Sequence, residues 1–169
     1  MADVTTTDDY ATYIASLPRV LAGAAALFRD AEGRVLLVEP NYREGWALPG
    51  GTVESDRNES PRTAARRESA EEIGIDKPLG RLLAVDWSVG VGRPPLVAYL
   101  YDGGVLDAEQ LASVRLQEEE LLSWKMVAPE DLPTYLLASL ARRVQEAYRV
   151  LESGASAVEL ENGRRPAEA

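Results

Sequence analysis

Three glutamates, Glu68, Glu71 and Glu72, follow a paired glycine and a helix start, and their spacing constrains this chain more than any other feature. The segment runs from Gly50-Gly51 through Ser60-Pro61 to Gly74. Ser60 fits an N-cap, Pro61 the first helical position and Gly74 the C′ position, so a helix is predicted between them. On that helix the carboxylates fall at relative positions 0, +3 and +4 and share one face. Like charges so placed destabilise an isolated helix by about 0.2–0.5 kcal/mol per pair. A hard divalent cation would offset the repulsion. Ala65, Ser69 and Ile73 form an adjacent, mostly small stripe that lets the helix lie close to a sheet.

Composition narrows the chemistry. The chain has no cysteine and no histidine. Disulfides, thiolate nucleophiles and zinc in its usual Cys/His setting are therefore excluded. A metal site must be built from oxygen ligands, which favours Mg²⁺, Mn²⁺ or Ca²⁺. A general base must come from Glu, Asp, Tyr, Lys or the metal site itself. A formal net charge of −10 argues against a nucleic acid polymer or an anionic membrane as partner. The basic residues are nearly all arginine, the better fork for phosphate oxygens.

The 169 residues suffice for one domain with its own core. Tyr10, Tyr13, Ile14 and Leu17 sit at helical spacing before Pro18, so residues 1–18 are expected to form a helical segment packing on the domain. Asp3, Asp8 and Asp9 and the lack of an early apolar run argue against a signal peptide, and a cytoplasmic location is expected. Val20 to Phe28 and Val35 to Glu39 read as strands around the turn Asp30-Ala31-Glu32-Gly33. Arg81 to Trp87, Leu96 to Tyr101 and Leu121 to Val127 read as further strands, and Leu136 to Leu151 carries the period of a long amphipathic helix. Residues 153–169 show no periodicity and are expected to be a flexible tail. Strands interleaved with helices predict an α/β domain over 19–152, a mixed sheet covered on both faces.

Taken together, these residues resemble the Nudix box of the Nudix hydrolase (MutT-like) superfamily. Gly51 takes its first position, Glu59 follows, then Arg67-Glu68, Glu71-Glu72, Gly74 and Ile75. Trp46-Ala47-Leu48-Pro49-Gly50 resembles the family's lead-in. Two departures stand out. Gly51 and Glu59 are separated by seven residues, not five, and Ser69 occupies an aliphatic position.

The resemblance implies an α/β/α sandwich and hydrolysis of a pyrophosphate bond in a nucleoside diphosphate linked to another moiety. That substrate would be a nucleotide sugar, an ADP-ribose-like compound or a nucleoside triphosphate. Mg²⁺ or Mn²⁺ would be held by Glu68, Glu71, Glu72 and the Gly51 carbonyl. Glu68 would serve as ligand or as general base. Arg67 would orient the carboxylates, itself held by Glu59 in a bidentate pair. One of Glu118, Glu119 and Glu120 would add a ligand or base. Arg43 would meet phosphate, and Trp46, Trp87 or Tyr42 would stack on a base. The Gly90 to Pro95 loop would frame the entrance. A homodimer is expected from family habit and spare apolar helix faces. The competing reading is a Nudix-fold module that senses a nucleotide without cleaving it. A third is an interaction protein that associates through its terminal helices.

Overall fold

In the computed structural model, which describes residues 4–167, a seven-stranded mixed sheet organises the chain. Helix α1 (Val4–Ser16) leads into β1 (Leu21–Arg29), β2 (Val35–Pro40) and the short β3 (Gly50–Thr52). Helix α2 (Pro61–Ile73) precedes β4 (Leu82–Ser88) and β5 (Leu96–Val105). The one-turn helix α3 (Ala108–Ala112), β6 (Leu121–Val127), the short α4 (Leu132–Tyr135), α5 (Ala138–Ser153) and β7 (Val158–Glu161) complete the order. The sheet runs β6-β2-β1-β5-β4-β7, with β3 paired to β1. The β1–β5 and β4–β7 pairs are parallel and the others antiparallel.

Alternation along the central strands builds both faces. On β1, Leu27 packs under α5 with Val35, Leu37, Leu83 and Val144. Its neighbours Ala26 and Phe28 turn to the opposite face with Leu36, Val38 and Ile73 of α2. Ala64 and Ala65 of α2 are fully buried beside Ala24 and Tyr101, so the small stripe does bring this helix close to the sheet. Ser69 is buried within the same helix, and its hydroxyl donates to the Ala65 carbonyl at 2.7 Å. The hydroxyl at an apolar position is thereby satisfied inside its own helix.

Both terminal segments depart from expectation. Residues 1–3 of the N-terminal segment lie outside the described residues. The helix forms, but Tyr10 is 65% and Tyr13 58% exposed, and Ile14 and Leu17 are exposed as well. Its apolar stripe does not pack on the domain. The C-terminal segment is not a loose tail over its described part. Val158–Glu161 adds a parallel strand to β4, with Ala84 opposite Val158 and Trp87 opposite Glu161. Leu160 is fully buried in the α5-side core. Asn162-Gly163 then turns the chain back, both at positive φ, and Glu161 and Arg164 exchange backbone hydrogen bonds. Residues 168–169 lie outside the described residues. Truncating Leu160 to Ala is expected to cost about 2–5 kcal/mol in urea unfolding, the range for a fully buried leucine. A surface residue of a frayed tail would cost almost nothing.

Candidate active site

Strand β3 and helix α2 place the acidic residues. The Ser60 hydroxyl caps α2 by accepting from the Thr63 amide, and Gly74 closes the helix in the left-handed region. The chain before it holds the two glycines hard against β1. A Cβ on Gly50 would collide with the Ala24 carbonyl and Ala25, and one on Gly51 would meet the Glu68 carboxylate at 2.5 Å. The Gly50 amide donates to Glu72 Oε2 at 2.9 Å, which links strand to helix across the site.

Arg67 is the hub. Its Nε and Nη2 grip Glu59 at 2.8 and 3.1 Å, a bidentate pair. Nη1 reaches Glu68 at 2.9 Å and Glu71 at 3.0 Å, and Nη2 also donates to the Thr52 carbonyl. The hydrogen bond from Arg67 holds the Glu59 carboxyl below its ordinary range. The two extra residues before Glu59 do not disturb this pair. They are absorbed in a 3₁₀ turn, Ser55–Arg57, ended by Asn58 in the left-handed region. Glu59 also accepts from the Glu54 amide across that turn.

Glu72 is 4% exposed. Burial pushes its carboxyl up to about 7, helped by the charges of Glu68 and Glu120 and opposed by the Gly50 amide and Arg43. Burial also raises Glu68, against the pull of Arg67. Of the three glutamates 118–120, Glu120 is therefore the one whose charge is felt by both box carboxylates. The Glu119 and Glu120 carbonyls fasten Asn41.

As the side chains stand, no group of three or more His, Cys, Asp or Glu among the described residues is drawn together closely enough to hold a metal ion. Arg67 instead binds the Glu68 and Glu71 carboxylates. The donor set nevertheless suits a hard cation: oxygen ligands only, with the buried Glu72 carboxyl raised by desolvation.

Beside β3 opens a cavity of about 370 Å³. Gly50, Gly51 and Thr52 form one wall, Tyr42 and Arg43 another, with Tyr99 and Arg143 also in the lining. Arg43 and Tyr42, expected as substrate contacts, line this cavity. The two tryptophans do not line it. Trp46 packs edge-on to Tyr135, centroids 5.7 Å apart at 82°, under the Lys125 ammonium. Trp87 lies on β4 beside Asp86, and because Asp86 turns inward, Trp87 turns away and is 42% exposed. The Gly90 to Pro95 loop is absent from the lining as well.

A family model described as the NUDIX domain matches residues 19–151. The chain belongs to the Nudix family. The rat diphosphoinositol polyphosphate phosphohydrolase 2 is 45% identical over 64 residues, 37% of this chain and 35% of that protein. The match thus spans about a third of the curated relative's length. The crystal structure of a MutT protein from Methanosarcina mazei Go1 superposes with a TM-score of 0.64 at 25% identity, covering 82% of this chain and 98% of that one. A UDP-X diphosphatase structure superposes with a TM-score of 0.66 at 21% identity, over 95% of this chain and 76% of that one. This Nudix chain thus carries its charged box on the family's fold. Sequence reasoning missed Arg143 and Asp86. Arg143 reads as one polar residue among many on α5. Asp86, a lone charge within the apolar run Leu82 to Trp87, was the available signal.

Proposed function

We propose that this chain hydrolyses a pyrophosphate bond in a nucleoside diphosphate linked to another moiety, with Mg²⁺ or Mn²⁺ as cofactor. The observation that carries the reading is the Arg67 hub, which gathers Glu59, Glu68 and Glu71 next to the Glu72–Gly50 link at the wall of the cavity. Glu68, Glu71, Glu72 and the Gly51 carbonyl would hold the cation. When bound, it would neutralise phosphate oxygens and acidify the attacking water. Arg67 keeps the helix carboxylates aimed, Glu59 keeps Arg67 in place, and Arg43 offers a charge to a phosphate near Glu72. Glu120 stands ready as the additional acidic group. Diphosphoinositol compounds and UDP-linked compounds both belong in the assay panel, because a relative and a structural neighbour are named for such substrates.

The test is release of mononucleotide and phosphate from that panel with Mg²⁺. Turnover that ignores EDTA would sink the metal reading. Nucleotide binding without turnover would favour a sensor. The two glycines supply a sharper internal control. Gly51→Ala displaces only the movable end of Glu68, so turnover should fall while the thermal midpoint holds. Gly50→Ala strikes backbone atoms of β1 and should destabilise the fold by about 1–3 kcal/mol, as overpacking does.

A further inference from the structure

The cavity contains a fork that the proposed chemistry does not use. Arg143 of α5 lines it, 13% exposed, and its Nε donates to Asp86 Oδ2 at 2.7 Å. Asp86 is fully buried, and its other oxygen accepts the Gly163 amide at 3.1 Å. Neither Arg143 Nη1 nor Nη2 donates a hydrogen bond to protein among the described residues. The guanidinium is thus anchored through Nε, and on this cavity-lining residue the two Nη groups have no protein partner among the described residues.

Two features define that occupant. The surrounding wall is largely apolar: Ala22, Ala25, Leu48, Leu96, Ala98 and Leu140. A flat apolar group fits such a wall, whereas a dianion would be desolvated at great cost. The Asp86 carboxylate also cancels the charge of Arg143 at contact distance, so the pair presents donors with little net charge. A phosphate gains little from it, and a neutral acceptor pair gains two hydrogen bonds.

Resting on the pyrophosphohydrolase reading above, we propose that Arg143 is the specificity residue for the substrate's base, and that it selects a 6-oxopurine. Guanine and hypoxanthine present O6 and N7 as adjacent acceptors to an arginine fork. Adenine offers a donor at the same edge, which faces the guanidinium N–H groups and is rejected. Arg43 and the glycine wall then serve the phosphates, and the Asp86–Arg143 pair serves the ring.

The test compares GDP-glucose with ADP-glucose as substrates under Mg²⁺, and GMP with AMP as ligands by calorimetry. The wild-type protein should prefer the guanine member roughly ten- to hundred-fold in kcat/KM and in affinity. Arg143→Lys keeps a cation for Asp86 but loses the fork, and should erase most of that preference. If it does not fold, the paired change Asp86→Asn with Arg143→Gln removes both charges together and should erase the preference likewise. Equal or adenine-favouring values in wild type, or a guanine preference that survives in a folded variant, would overturn the proposal. The two readings fail separately. Turnover without base preference sinks the role of Arg143 alone. Guanine-selective binding without turnover of any panel member sinks the hydrolase reading and leaves the fork in place. A merely structural role for Arg143 would lower the thermal midpoint and leave the guanine-to-adenine ratio unchanged.

Discussion

Glu72→Gln should lower kcat/KM by more than about 100-fold, beyond the 10–100-fold typical of changes outside a metal's direct ligands. The amide keeps the shape and can still accept from the Gly50 amide, so strand and helix stay joined. What disappears is the charge. The same change should leave the metal-free protein as stable as wild type or more so, because burying that charge is unfavourable. The sign follows from the direction of the shift. A carboxyl raised from 4.5 to about 7 holds a proton in the folded state that the unfolded chain has released. Its contribution to stability is fully present below the ordinary value and declines as pH rises toward 7. Melting curves in EDTA between these limits should fall with pH more steeply for wild type than for Glu72→Gln. Adding Mg²⁺ should raise the wild-type midpoint and leave the variant's almost unmoved. A variant with full turnover, or one that gains as much from Mg²⁺, would remove Glu72 from the cation site.

Asp86→Ala carries the largest expected effect on stability. It strips a fully buried carboxylate from Arg143 and from the Gly163 amide at once. A cation left nearly buried without its partner costs about 3–5 kcal/mol. The loss should appear as a lower urea midpoint with an unchanged slope if the unfolded chain is unaffected. Removing both charges, as in the Asp86→Asn, Arg143→Gln pair, should cost less than Asp86→Ala alone, because no orphaned charge remains. Equal costs would show that the orphaned Arg143 charge is not what the Asp86→Ala loss measures.

The helical half of the Nudix box was legible because local rules specify it. Ser60, Pro61 and Gly74 mark the ends of α2, and the Glu59–Arg67 pair lies within reach of a single helix start. The longer loop was harder to place, yet Asn58 in the left-handed region is the kind of residue that ends a 3₁₀ turn. The roles of the tryptophans depended on strand register. One step along β4 separates Asp86, which points at α5, from Trp87, which points away, and no local pattern fixes that choice. The C-terminal strand escaped for a related reason. Val158 to Glu161 alternates over only four residues, and its partner β4 is far away in sequence. The Asn162-Gly163 turn was the stronger cue. At the N-terminus the helical period was correct, but period reveals which face is apolar, not what covers it.

The parallel strand β7 has a consequence for the birth of the protein. Every residue of the glutamate cluster has been synthesised by Glu120, but the anchor of the Arg143 fork includes the amide of Gly163. A nascent chain that has emerged only as far as α5 therefore carries its acidic residues before the anchor of Asp86 and Arg143 is complete. Domains fold as units during synthesis, and here the unit closes only when residues 158–163 reach the sheet. If Arg143 reads the base, as proposed, that reading depends on residues 158–163 having joined the sheet.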